Sequence, residues 1–171
     1  FDDSTHKKVT RIRDRNNNTI TIAYTGAYPT SITDANGRSL LLTWTDGKMT
    51  QLVDIISSPN RNVSYQYNSQ GDLQSVTDPE GNITQYECNS RKQLVRMVDP
   101  RSTPFLVTYD DSGAVSRIQT PLSDESFNYS RISKITTHTL GTRSTSYTFN
   151  TVGQIIDIAG FCCGYHKQFE W

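Results

Sequence analysis

The sequence lacks the features that define several common protein classes. It has no apolar run near the ~18 residues that a membrane-spanning helix needs, so no membrane span is expected. The amino-terminal segment has no apolar core of the kind found in secretory signal peptides. Because the repeating pattern of the sequence is already under way at both ends, we expect a piece of a longer or processed protein.

Net charge and hydrophobic content are also low. The 17 basic side chains balance the 17 acidic ones, which argues against nucleic acid as a partner, because nucleic-acid binders carry a basic stripe. Hydrophobic residues make up 34 % of the 171 residues, which argues against a thick core. Aromatic residues make up 10 %, which argues against disorder. Thin sheets with many half-exposed positions fit this composition best.

Cysteine is scarce, and its number is odd. The three cysteines, which provide no disulfide framework, are Cys88, Cys162 and Cys163. A disulfide between Cys88 and Cys162 or Cys163, an intermolecular disulfide and free thiols all remain open. A soft-metal site is not expected at Cys162 and Cys163, because adjacent cysteines rarely bind one ion together. We therefore expect no metal and no cofactor.

Internal repetition is the strongest feature that the sequence does contain. Tyr67, Cys88 and Tyr109 align at a step of 21 residues. Other residues that recur at this step are Leu73, Leu94 and Val115, and then Pro79, Pro100 and Pro121. Weaker copies extend both ways, so residues 1–160 contain about seven units, which are clearest at 63–121.

Each unit has the pattern of two short strands joined by turns. Tyr65 and Tyr67 are two residues apart, so both side chains of a strand would lie on one face. The connecting segments contain Asp, then Pro, then Gly, an order that favours tight turns because Pro presets φ and Gly accepts positive φ. The residues assigned to turns are Asp78, Pro79, Gly81, Asp99 and Pro100. Without a helical period, the sequence predicts an all-β fold of repeated β-hairpins with almost no helix.

At these positions the sequence resembles the Rhs or YD-repeat family. The core of that repeat is a Tyr-Asp pair, a Gly, a hydrophobic residue and an Asp-Pro-x-Gly turn that leads to the next pair. Tyr109-Asp110 with Gly113 is such a pair, and residues 78–86 follow the turn segment almost letter for letter. The resemblance covers residues 9–158 and is loose at Cys88 and across residues 123–138.

The resemblance implies a fold, a location and partners. The family includes bacterial toxin shells and animal teneurins, in which similar repeats form a long β-ribbon that spirals into a hollow shell. It therefore implies a YD-repeat ribbon or shell segment that is extracellular or at the cell surface. A full shell needs many more repeats than this sequence contains. The expected partners are therefore further repeats of a longer chain or neighbouring copies of this one.

The aromatic residues that recur with the units are the main candidate site. We expect these tyrosines to lie at equivalent positions on one sheet face, as a packing layer or as a stacking surface for surface glycans. They are Tyr65, Tyr67, Tyr86 and Tyr109. Turn capping explains the recurring carboxylates, and no serine has the glycine context of a nucleophile elbow. We therefore predict no catalytic residues and no enzyme.

The last 11 residues, 161–171, follow the final clear repeat and form an aromatic and cysteine-containing tail. Its aromatic residues are Phe161, Tyr165, Phe169 and Trp171. Because they concentrate where the repeat stops, we expect the tail to pack on a neighbouring copy or domain. The sequence thus predicts a non-enzymatic extracellular structural segment, which serves as shell, scaffold or self-assembling surface fibre. The alternative is a module that binds glycans or a receptor through exposed aromatic residues and loops.

Overall fold

The computed structural model describes residues 8–56, 59–160 and 166–170. These residues form β-strands and turns with no helix among them, which confirms the predicted all-β class. In this part of the chain, no helix is long and apolar enough to cross a membrane. The strands are β1 (Arg11–Arg13), β2 (Thr19–Thr25), β3 (Tyr28–Thr33), β4 (Ser39–Thr45), β5 (Lys48–Asp54), β6 (Arg61–Tyr67), β7 (Leu73–Thr77), β8 (Ile83–Cys88), β9 (Leu94–Val98), β10 (Pro104–Tyr109), β11 (Val115–Gln119), β12 (Asp124–Ser130), β13 (Ile135–Leu140), β14 (Arg143–Phe149), β15 (Ile155–Gly160) and β16 (His166–Gln168).

The strands lie in the sheet in the same order as in the sequence. Within the described residues, 16 strands pair in this order. Short connections dictate this arrangement, because a turn of a few residues returns the chain beside the strand it has just left. By compactness the chain divides into two units, Phe1–Gln85 and Tyr86–Trp171.

In the first unit, side chains alternate along each strand, so one face of the sheet is mainly apolar. The other face is mainly polar, apart from the paired residues Leu41 and Val53. Directly paired residues on the apolar face include Ile22, Ile32 and Leu40, and then Leu42, Leu52 and Val63. Paired residues on the polar face include Thr21, Thr33 and Ser39, and then Thr43, Gln51 and Ser64. The hydroxyls of Thr33 and Ser39 share a hydrogen bond of 2.7 Å across the strands.

The second unit has the same division, with more aromatic residues on its apolar face. Directly paired residues there include Val107 and Ile118, and then Tyr129, Thr136, Tyr147 and Ile158. Paired residues on the polar face include Ser126, Thr139 and Ser144. The hydroxyls of Thr139 and Ser144 lie 2.8 Å apart, so this hydrogen bond repeats the one in the first unit.

Few side chains are buried on either face. Among the described residues, only Val107 and Ser75 are buried, with exposed fractions of 9 % and 8 %. Aliphatic residues on the apolar face stay accessible, with exposed fractions of 53 % for Ile12 and 40 % for Ile20. This exposure agrees with the thin, half-exposed sheet that the low hydrophobic content predicts.

One turn geometry recurs between the strands. At Asp78, the backbone N–H of Gly81 donates to the Asp78 carbonyl at 3.0 Å. The Asp78 side chain accepts from the N–H groups of Glu80 at 2.9 Å and Asn82 at 2.8 Å. The same backbone bonds begin at Asp14, Asp34, Asn68, Asn89, Asp99, Asp110 and Asn150. Asp and Asn recur at this first position because their short side chains reach back to the turn amides more effectively than those of Ser and Thr.

The fourth residue of each such turn has a positive φ. The residues at this position are Asn17, Gly37, Gly71, Gly81, Lys92, Ser102, Gly113 and Gly153. Glycine and asparagine suit this left-handed conformation, whereas Lys92 and Ser102 adopt it at a steric cost. The turn thus depends more on its first residue than on its fourth.

The least regular part of the sequence, residues 123–138, still forms the expected hairpin. β12 and β13 pair antiparallel, from Glu125 opposite Leu140 to Ser130 opposite Ile135. The turn between them differs, because the hydroxyl of Ser130 accepts from the Ser133 N–H at 3.4 Å in place of an Asp carboxylate. The loss of the repeat pattern there changes the turn and leaves the strand pairing intact.

Candidate functional site

The candidate site is built on aromatic residues near the ends of alternate strands. A β-bulge lies immediately before each of five such residues, which we call the bulge aromatics. They are Tyr24, Trp44, Tyr67, Tyr109 and Phe149. In each case the extra residue lies on the partner strand, opposite the aromatic residue, and such a bulge increases the local twist.

Four of the bulge aromatics donate a hydrogen bond to a backbone carbonyl of the preceding hairpin. The bonds run from Tyr24 to Val9 at 3.1 Å, from Trp44 to Pro29 at 2.7 Å, from Tyr67 to Met49 at 2.8 Å and from Tyr109 to Leu94 at 2.8 Å. Tyr129, which has no bulge before it, donates in the same way to the Val115 carbonyl at 2.8 Å. These bonds tie successive hairpins together through side chains as well as through the sheet ladder.

Phe149 departs from this pattern because its ring carries no hydroxyl. Its backbone N–H donates to the Lys134 carbonyl at 2.9 Å. Thr148, which precedes Phe149, pairs with Ile135. Relative to Phe149, Ile135 therefore occupies the position that Leu94 occupies relative to Tyr109. The Phe149 side chain, however, has no donor for the Ile135 carbonyl. By the 21-residue step, Cys88 occupies the bulge-aromatic position of its own repeat.

Long polar side chains link neighbouring turns at the same margin of the sheet. In the first unit, the Lys48 ammonium lies 5.7 Å from the centre of the Tyr67 ring. In the second unit, Gln93 donates to the Gly113 carbonyl at 3.1 Å, and Arg91 donates to the Asp111 carbonyl at 3.2 Å. These contacts cover the rings and carbonyls that the sheet leaves accessible.

The turn carboxylates are stabilised in their ionised form. The side-chain hydrogen bond from Asn82, supported by backbone N–H groups, lowers the pKa of Asp78. The backbone N–H of Thr103 lowers the pKa of Asp99 in the same way. The carboxylate oxygens are thus engaged by the turn itself, and the described residues contain no cluster of acidic, His or Cys side chains fit to hold a metal ion.

His138 has two side-chain partners on the neighbouring strand. Its Nε2 lies 2.9 Å from the Glu125 carboxylate, and its ring stacks on Phe127 with centroids 4.9 Å apart. Sequence analysis missed this group because 13 residues separate His138 from Glu125. Only the pairing of β12 with β13 brings them together.

The structure places the four predicted tyrosines as follows. Tyr65 and Tyr67 lie on β6, with Tyr65 opposite Val76. Tyr109 ends β10, and Tyr86 lies on β8. Sequence analysis did not include Tyr129, although its spacing of 20 residues from Tyr109 is a signal that could have identified it.

The cysteines and the tail fall partly outside the described residues. Cys88 is a half-buried thiol on β8, whereas Cys162 and Cys163 lie outside the described residues, so their pairing stays a prediction. Among the tail aromatics, Phe161, Tyr165 and Trp171 also lie outside the described residues.

The described part of the tail pairs with the last strand of the repeat region. His166–Gln168 forms β16, which pairs antiparallel with β15 of the same chain. The Phe169 N–H donates to the Ile156 carbonyl at 3.0 Å. The backbone amides find partners in the adjacent strand, so this segment extends its own sheet. An assembly role for the rest of the tail stays a prediction.

The fold is similar to that of solved Tc toxin structures. The crystal structure of TcdB2-TccC3 without its hypervariable C-terminal region matches with a TM-score of 0.71 and 14 % identity, over 88 % of this chain and 10 % of that chain. The Tc holotoxin pore of Photorhabdus luminescens matches with a TM-score of 0.68 and 14 % identity, over 88 % of this chain and 9 % of that chain. The chain thus spans about a tenth of these chains. No curated protein sequence matches.

The resemblance found in the repeats agrees with a family-level match. The model of the Teneurin YD-shell family matches residues 1–160. This range contains β1 to β15 and all eight recurring turns of the described residues. The chain belongs to the Teneurin YD-shell family.

Proposed function

We propose that this chain is a non-catalytic segment of an extracellular YD-repeat shell or scaffold. The observation that carries the proposal is the apolar face that each unit leaves accessible. Ile12, Ile20 and Leu40 in the first unit have exposed fractions of 53 %, 40 % and 38 %. Repeats that cannot bury their own apolar face are stabilised by stacking on neighbouring repeats. Further repeats of a longer chain, or other copies, would supply that cover.

The turns and hydroxyl bonds also support a structural role. Carboxylates, glycines and aromatic hydroxyls are engaged in backbone hydrogen bonds that recur from repeat to repeat. Catalysis, in contrast, needs a particular set of groups held at one place. The extracellular location rests on the family, whose members include toxin shells and teneurin ectodomains.

Electron microscopy of the purified chain tests the proposal. We expect discrete shells, partial shells or filaments built from β-ribbon. A population of isolated monomers that stays stable and soluble at all concentrations would contradict the need for neighbouring repeats. Closed particles and extended fibres would distinguish the shell from the self-assembling fibre.

A second candidate function is a module that binds glycans or a receptor. One observation favours it, namely a cleft that is lined by the aromatic residues Tyr129 and Phe149 and by the cationic residues Arg131 and Lys134.

A further inference from the structure

The second unit contains an open cleft of about 330 Å³ at the margin of the sheet. Tyr129, Ile135 and Phe149 provide apolar and aromatic walls, and Arg131 and Lys134 line it as well. The exposed fraction of Tyr129 is 38 %, so part of its ring is accessible to a ligand. The volume is at the low end of the roughly 300–1,000 Å³ that is typical of small-molecule sites.

At this cleft a side-chain hydrogen bond found in other repeats is missing. At the equivalent place one repeat earlier, the Tyr129 hydroxyl donates to the Val115 carbonyl at 2.8 Å. Phe149 has no hydroxyl to donate to the corresponding carbonyl of Ile135. A hydrogen-bond donor from a ligand could take the place that the tyrosine hydroxyl occupies elsewhere.

The cationic residues at the cleft also differ from the long polar residues at the turn between β8 and β9. There, Arg91 and Gln93 donate to carbonyls of the turn between β10 and β11, at 3.2 Å and 3.1 Å. Within the described residues, the side chains of Arg131 and Lys134 form no hydrogen bond and no ion pair within 4.0 Å. Two cationic residues therefore line the cleft with their side-chain donors uncommitted.

The Asp110 carboxylate, whose pKa is affected by the charge of Arg131, is engaged within its own turn. Asp110 accepts from Ser112 and Ala114 within its own turn, at 2.9 Å from each N–H. The hydrogen bond from the Ser112 hydroxyl, at 2.6 Å, is the main cause that lowers the pKa of Asp110, and the charge of Arg131 contributes least. Because two cationic residues and no acidic residue line the cleft, it carries a net positive charge.

We propose that this cleft binds a sugar that carries a carboxylate. The carboxylate would lie between Arg131 and Lys134, where charge-assisted hydrogen bonds are strong. The apolar face of the sugar ring would pack on Tyr129 and Phe149, and a sugar hydroxyl would donate to the Ile135 carbonyl. Uronic acids and sialic acids share this combination of carboxylate, ring and hydroxyls.

The proposal can be tested by titrating the full chain with defined oligosaccharides, monitored by calorimetry or by NMR shifts. The probes are a hexasaccharide of alternating glucuronic acid and N-acetylglucosamine, a sialylated trisaccharide, and the neutral hexamer of N-acetylglucosamine. We expect at least one acidic probe to bind about tenfold more tightly than the neutral one, the ratio that a charged hydrogen bond provides. The identity of the acidic probe that binds shows whether the ligand is a uronic acid or a sialic acid.

Variants locate the site. Arg131→Gln with Lys134→Gln should weaken binding about tenfold or more, because the charged donors are lost. Phe149→Tyr should also weaken binding, because the new hydroxyl would occupy the Ile135 carbonyl, while it raises resistance to unfolding. The matched control is Arg101→Gln, in the turn between β9 and β10 at the opposite margin of the sheet, which should leave binding unchanged.

Three results would overturn the proposal. They are the absence of binding by both acidic probes, equal binding of acidic and neutral probes, and undiminished binding after Arg131→Gln with Lys134→Gln. Circular dichroism of each variant separates a lost site from a lost fold. The structural role proposed above does not depend on this outcome, because its test is assembly rather than sugar binding.

Discussion

The hydrogen bond from the Tyr67 hydroxyl to the Met49 carbonyl, at 2.8 Å, allows a direct test of how successive hairpins hold together. Tyr67→Phe removes this bond while the ring is kept. A neutral intramolecular hydrogen bond contributes about 1 kcal/mol, so the free energy of unfolding should fall by that amount. Urea denaturation followed by circular dichroism measures the change.

Tyr67→Ala should cost more, but less than the loss of a fully buried ring. Truncation of a buried large aromatic residue costs roughly 3–5 kcal/mol. Tyr67 is only half-buried, so we expect about 2–3 kcal/mol from the lost packing and hydrogen bond together. The contact with the Lys48 ammonium, 5.7 Å from the ring centre, is lost as well.

Tyr65→Phe is the matched control, because Tyr65 lies on the same face of β6, and its hydroxyl donates to none of the described residues. It should leave the free energy of unfolding nearly unchanged. Equal stability of Tyr67→Phe and Tyr65→Phe would refute the role of the hydroxyl bond. A loss below about 1 kcal/mol for Tyr67→Ala would show that the ring contributes little packing.

Three further predictions concern the turns and the tail. Hydrogen bonds lower the pKa values of Asp78, Asp99 and Asp110 in the folded chain. The stabilisation from these carboxylates is therefore present above their unfolded pKa of about 4, and it is lost as the pH falls through their folded pKa values. The urea midpoint should therefore drop between neutral and acidic pH, and Asp78→Asn should flatten that drop, since Asn68 accepts the same bonds. Gly113→Ala should lower the melting temperature more than Gly153→Ala. Both glycines have a φ of +86°, but only at Gly113 would the new Cβ meet a neighbouring side chain, that of Gln93 at 3.2 Å. A chain ending at Gly160 should self-associate less than the full chain in sedimentation, and compact monomers of equal stability from both would contradict an assembly role for the tail.

Local geometry explains why the hairpins and turns could be predicted from the sequence. The turn at Asp78 closes through bonds to residues no more than four positions away, so Asp, Pro and Gly at fixed spacing are sufficient to specify it. The alternation of Tyr65 and Tyr67 likewise assigns both side chains to one face without knowledge of any other strand. Because each turn is short, every strand can pair only beside the strand that precedes it in the sequence.

The sequence by itself therefore determined the strands, the turns and the family. Only the tertiary structure decided which groups meet across the sheet, such as His138 with Glu125 and the Tyr109 hydroxyl with the Leu94 carbonyl. These contacts depend on strand register, and the Tyr109 contact lies next to the bulge between Thr108 and Tyr109. A bulge redirects a side chain through backbone twist, and that twist results from the pairing of two strands rather than from the residues of one.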